Sequence, residues 1–273
     1  MSVRLAFDRL GVKSNGKTPL VFLHGLFGNK SNSRTVSRWL SKDRESYLVD
    51  LRCHGDSPAM TPFNYHTLAM DVGKLIEDEI KEPVIIIGHS MGGRTGMALS
   101  LERKDLVKGL ISVDASPSNR PIGHSSFGTY LRVYNEMNGK KFKSLKECDE
   151  YLSKFEKNKA VRQFLLTNMK PNESEDGSSG SDKYYKCRLP INILRRGIDA
   201  VGEWPYENVR YNGPTLFIRG TESPYISDEM IPTIGKYFPS FTMEDIQCGH
   251  WVMGEKPQEF TERVQQWLNM KDF

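Results

Sequence analysis

The chain has 273 residues, with 38 lysines and arginines against 34 aspartates and glutamates for a net charge of +4, and 38% of it is hydrophobic. This is enough apolar material for one sizeable core, and the length suits a single α/β domain with an insertion. Basic and acidic residues are interspersed, so the concentrated basic face of a nucleic-acid binder is excluded, and no apolar run approaches the ~20 residues of a membrane span. Cys53, Cys148, Cys187 and Cys248 are far apart with no metal-binding spacing, which reads as free thiols in a reducing compartment.

Short β-branched runs alternate with helical periodicity, the pattern of a mostly parallel sheet covered by helices on both faces. Strands are expected at 3–7, 19–25 ("PLVFLHG") and 46–52 ("SYLVDLR"). Leu68, Val72, Leu75 and Ile76 then repeat as one face of an amphipathic helix. "PVIIIGHS" at 83–90 has four consecutive apolar positions, as a strand buried on both faces should, and a helix follows from Met91 to Leu101. A strand at 109–116 ("GLISVDAS") completes the first part of the core, 1–116.

From 117 to 208 the rhythm breaks, and a helical cap insertion is expected there, with the polar loop 171–182 mobile. The basic run "NGKKFKSLK" at 138–146 reads as a solvated helix face. The core resumes at 209–273 with strands at 214–220 and 241–246 and a helix carrying Phe260, Val264, Trp267 and Leu268. The N-terminal "MSVRLAFDRL" has neither the apolar core of a secretory signal nor the character of a transit peptide.

Chemistry concentrates at "GHSMGG", 88–93, between a strand and a helix. In G-x-S-x-G the serine occupies a strained strand-to-helix turn that lifts its hydroxyl clear of the sheet, while the flanking glycines admit close backbone. Ser90 is therefore the candidate nucleophile. The Met91 amide, at a helix N-terminus, is one candidate oxyanion donor. The Leu26 amide, just after "FLHG", is the other, and the His24 side chain reads as structural. Of six histidines, only His250 follows a late strand in a turn, "CGHW", which keeps the order serine, acid, histidine and makes it the candidate general base.

The acid is less direct. After the strand "PTLFIRG" the usual aspartate slot holds Ser223, a neutral hydroxyl, with Glu222 one place early. Asp114 ends the strand that a right-handed crossover sets beside the nucleophile strand, about 4.8 Å away, and is the preferred acid. Glu222 and a turn-capping role for Asp114 stay open. Asp50, Arg52 and Asp56 in "DLRCHGDSP" read as braces for loops around the site, and Pro224 and Tyr225 as its wall.

With these motifs in hand, the chain resembles the α/β-hydrolase superfamily over nearly its whole length. "LHGLFGNKSN", "GHSMGGRTGM", "ISVDASP", "VRQFLLTNM", "GTESPYIS" and "GHWVMGEKP" are similar to a group holding a bacterial acyl esterase, mitochondrial abhydrolase-domain proteins of animals and the ethanol acetyltransferases of yeasts. The resemblance implies a triad of Ser90, Asp114 and His250 with oxyanion donors Leu26 and Met91. It also implies acyl transfer from acetyl-CoA to ethanol, with ester and thioester hydrolysis beside it. No metal or redox cofactor is implied, the partners are a small-molecule acyl donor and an alcohol or water, and no pattern dictates an oligomeric state. The implied compartment is the mitochondrion, the cytoplasm being the alternative. "RCHG", where Asn is expected before the histidine, and the "SEDGSSGS" expansion depart from the group.

Overall fold

The computed structural model describes residues 1–13, 16–120, 126–172 and 183–273; the expected mobile loop falls almost wholly outside them. The strands are β1 (Phe7–Leu10), β2 (Leu20–Leu23), β3 (Ser46–Val49), β4 (Val84–His89), β5 (Val107–Val113), β6 (Met169–Pro171), β7 (Tyr185–Cys187), β8 (Thr215–Gly220) and β9 (Phe241–Ile246). The helices are α1 (Arg34–Leu40), α2 (Tyr65–Leu75), α3 (Met91–Glu102), α4 (Ser126–Asn138), α5 (Leu145–Leu152), α6 (Lys159–Leu166), α7 (Ile191–Gly197), α8 (Ile231–Tyr237), α9 (Val252–Glu255) and α10 (Pro257–Met270).

Among the described residues one seven-stranded sheet runs β1-β3-β2-β4-β5-β8-β9, parallel throughout except for β1. Period-two alternation divides each buried strand between two cores. Val21, Leu23 and Ile86 face α2, α3 and the helices after β5, whereas Leu20, Phe22, Ile85 and Ile87 face α1 and α10. Each such side chain, fully withdrawn from water, contributes roughly 1.5–3 kcal/mol. Gly96 lets α3 sit directly on the sheet, since a Cβ there would come 2.8 Å from Ile86.

Two expectations need correction. The first strand is 7–10, not 3–7, because the amides before it are taken by side chains: Val3 N–H donates to Asp71 at 2.8 Å and Ala6 N–H to the Ser57 hydroxyl at 2.8 Å. The basic run 138–146 is mostly the turn between α4 and α5, not a helix face; Phe142 bridges Tyr185, and Lys140 sits over the Tyr151 ring. Between β5 and β8 lie α4 to α7 and the small β6–β7 hairpin, an antiparallel pair; α4 packs on β7 and α7. No helix among the described residues is long and apolar enough to cross a membrane. The four cysteines are unpaired and buried.

Candidate active site

Ser90 joins β4 to α3 with φ 53° and ψ −116°, a conformation a non-glycine residue holds only when its surroundings over-determine it. They do so here through close backbone. A Cβ on Gly88 would lie 2.3 Å from the Gly92 carbonyl, and one on Gly92 would lie 2.3 Å from the Leu23 carbonyl, so only glycine fits at either flank. Ser90 N–H is held by the Val113 carbonyl at 2.9 Å, and Met91 opens α3. Neither the Leu26 nor the Met91 amide has an acceptor among the described residues, as expected for the first turn of a helix and for a loop facing a cavity.

That cavity is small, about 40 Å³. Leu26, Ser90 and Met91 line it together with apolar Ala115, Phe127 and Val201, the hydroxyl-bearing Ser116, Ser118, Tyr65 and Tyr225, and two guanidinium groups, Arg94 and Arg120. Arg94 is buried and ties α3 to two other segments: its Nη1 donates to the Val201 carbonyl at 3.0 Å and its Nη2 to the Glu203 carbonyl at 2.7 Å and the Ser118 carbonyl at 3.0 Å. The Tyr65 hydroxyl donates to the same Val201 carbonyl at 2.8 Å.

His250 follows β9 and reaches back to β5. Its Nδ1 lies 2.6 Å from Asp114 Oδ2, and Asp114 is fully buried at φ 49°. A carboxylate only accepts, so Nδ1 carries a proton, and in the neutral ring the lone pair is then on Nε2. Nε2 is buried with no hydrogen-bond partner among the described residues, Ser90 Oγ included. Asp114 Oδ1 accepts from Gly220 N–H at 3.3 Å, and Oδ2, which faces His250, also accepts from the Ser223 hydroxyl. The structure thus brings Ser223 to the carboxylate as a donor. Glu222 does not meet His250; it is exposed, with its amide on the Cys248 carbonyl at 3.0 Å.

A second cleft, about 710 Å³, is lined by His250 itself. Its wall includes His24, Gly25, His89, Phe164 of α6, Trp251, Glu222 and Glu255, and the Phe164 and Trp251 rings lie 4.4 Å apart. Sequence reasoning gave His89 no role. Its Nε2–H donates to the His250 carbonyl at 2.8 Å, fixing the backbone of the loop, and burial together with the neighbouring His250 pushes its pKa down to about 3, so it stays neutral. The middle position of G-x-S carries no signal for that.

His24 behaves as the structural reading expects. Its Nε2 accepts from Leu51 N–H at 3.0 Å, which leaves Nδ1 to donate to the Gly25 carbonyl at 2.8 Å, and burial lowers its pKa to about 4. His54 likewise accepts from Phe27 N–H at 3.0 Å. Arg52 pairs with Asp71 through Nε at 2.5 Å and Nη2 at 2.7 Å, both side chains fully buried, and Asp50 accepts from Lys30 N–H at 2.6 Å and Asp56 N–H at 2.9 Å. These are the loop braces expected of "DLRCHGDSP".

Comparison with known proteins agrees with this architecture. Residues 18–257 match the family model described as alpha/beta hydrolase fold. A Saccharomyces cerevisiae protein that carries the name "probable alcohol acetyltransferase" is 38% identical over 94% of this chain and 78% of its own. An sn-1-specific diacylglycerol lipase of Xenopus laevis is 35% identical over 90% of this chain and 78% of its own. The solved structure of an esterase from a marine microorganism superposes with a TM-score of 0.86 at 30% identity, covering 98% of this chain and all of that one. The chain belongs to the α/β-hydrolase family.

Proposed function

We propose that this α/β-hydrolase is a serine acyltransferase that moves a short acyl group through an acyl-enzyme, taking acetyl from acetyl-CoA and giving it to ethanol, with hydrolysis of esters and thioesters as a side reaction. The observation that carries the reading is the state of His250: with its Nδ1 proton committed to buried Asp114, its Nε2 lone pair is left unpaired in the interior beside the strained Ser90 turn. A base with that tautomer takes the Ser90 proton as Oγ bonds to the acyl carbon. The carbonyl oxygen becomes an oxyanion that the Leu26 and Met91 amides receive, each such donor being worth roughly 2.7–4 kcal/mol of barrier. The C–S bond then breaks, His250 returns its proton to the departing thiol, and acyl-Ser90 remains. Ethanol gives its hydroxyl proton to His250 as its oxygen bonds to the acyl carbon, and Ser90 is released with a proton from His250.

Two features support a short acyl group and a larger second group. The cavity shared by Ser90, Leu26 and Met91 has room on the scale of a few waters, enough for an acetyl group. The 710 Å³ cleft at His250 suits the remainder of the donor and the acceptor. The same open cleft favours a second reading, a plain carboxylesterase or thioesterase in which water is the acceptor. Product analysis with acetyl-CoA and increasing ethanol separates the two: ethyl acetate should rise at the expense of acetate, and acetate alone at every ethanol concentration would leave the hydrolase.

A further inference from the structure

The corner after β8, which sends Ser223 to the Asp114 carboxylate, also packs against the imidazole. The Tyr225 ring stacks on the His250 ring with centroids 3.9 Å apart and planes 16° from parallel. On its other face the Arg120 guanidinium lies 3.9 Å from the Tyr225 centroid, and Arg120 Nη1 donates to the Pro224 carbonyl at 2.7 Å. The backbone of the same residues is pinned: Tyr225 N–H donates to Ser223 Oγ at 3.3 Å, and the Ser116 hydroxyl donates to the Tyr225 carbonyl at 3.3 Å. Ser223 Oγ in turn donates to Asp114. One short segment therefore holds the carboxylate with one side chain and the imidazole with the next but one.

We infer that Tyr225, backed by Arg120, is a positioning residue: its ring fixes the plane of His250, so that Nδ1 stays on Asp114 while Nε2 keeps the orientation required to serve Ser90. The physical need for it is visible in the geometry. His250 is attached to Asp114 by one hydrogen bond and makes none through Nε2, so that single contact leaves the ring free to swing about the Nδ1···Oδ2 axis. A face-on aromatic contact removes that freedom, while His89, 4.6 Å away ring to ring, limits the other side. A guanidinium over the far face of Tyr225 immobilises the tyrosine without occupying the reacting atoms. Misplacement of a reacting group by about 1 Å costs on the order of a hundredfold in rate.

The inference rests on the proposed triad, and its test keeps the two apart. Steady-state hydrolysis of p-nitrophenyl acetate is measured for the wild type and for Ser90→Ala, Tyr225→Ala, Tyr225→Leu, Tyr225→Phe and Arg120→Met, each checked for native circular dichroism. The low-field proton resonance of the imidazole Nδ1–H is followed alongside. Tyr225→Ala should lower kcat by about a hundredfold with KM within about threefold, and the low-field signal should broaden or vanish. Tyr225→Phe, which keeps the ring, should restore kcat to within about threefold of wild type, and Arg120→Met should cost about threefold, the effect of one half-buried cation–π contact. Tyr225→Leu supplies the same comparison if the alanine variant does not fold. A folded Tyr225→Ala or Tyr225→Leu that keeps kcat, or one that changes KM alone, overturns the positioning role and leaves Tyr225 as pocket wall. Full activity in Ser90→Ala would instead overturn the triad beneath it.

Discussion

β5 and β8 pair from Leu110 opposite Thr215 to Val113 opposite Ile218, yet their ends carry opposite chemistries. β5 runs directly into Asp114, a fully buried carboxylate in a left-handed backbone conformation. β8 ends at Gly220 and turns to Ser223, a buried neutral hydroxyl that donates to that same carboxylate. Neighbouring strands are only about 4.8 Å apart, so an acid on either end can reach one histidine descending from above. Moving the charge from one end to the other preserves the imidazole contact and frees the vacated end for a different task. The difference teaches that in this chain the end of β5 presents the charge to the histidine and the end of β8 supports that charge with a neutral donor.

The largest effect expected from disturbing this pair of ends is at β5. Asp114→Asn should lower kcat by about 10⁴-fold, because an amide facing Nδ1 favours the wrong imidazole tautomer; single-turnover kinetics with a chromogenic acetyl ester reads this directly. Retention of wild-type kcat would move the acid elsewhere. At β8 the expected effect is smaller. Ser223→Ala removes one charge-assisted hydrogen bond of ~1.5 kcal/mol to Asp114 and should cost about tenfold in kcat/KM, with no change in the acyl-chain preference. The smallest belongs to the residue next to it: Glu222→Gln should leave kcat/KM within about twofold, since its exposed side chain does not touch His250. An Asp114→Asn effect smaller than that of Glu222→Gln would reverse the comparison.

How much of this was legible beforehand varies from residue to residue. β4 was readable because four successive apolar positions in "VIII" admit no solvated face, and the turn after it because glycine at 88 and 92 meets a steric demand that the structure repeats as 2.3 Å contacts. The contact of Asp114 with His250 was readable from the crossover rule together with the vacancy at 223. The edge was not: residues 3–6 alternate like a strand, but their amides answer to Asp71 and Ser57, partners 68 and 51 positions away in the chain. His89, Arg94 and Arg120 carried no signal either, because each acts on carbonyls or rings supplied by distant segments.

What the sequence by itself determined is therefore local: the order of strands and helices, the strained serine turn and the residue types available for acyl transfer, all dictated by steric rules and periodicity over a few positions. Only the tertiary structure decided which donors Asp114 collects, that Tyr225 lies flat on His250, and that a cavity of about 40 Å³ forms at Ser90 and a cleft of about 710 Å³ at His250. Those depend on where separate chain segments come to rest, Ser223 meeting Asp114 across 109 positions, and close packing, not local pattern, fixes that.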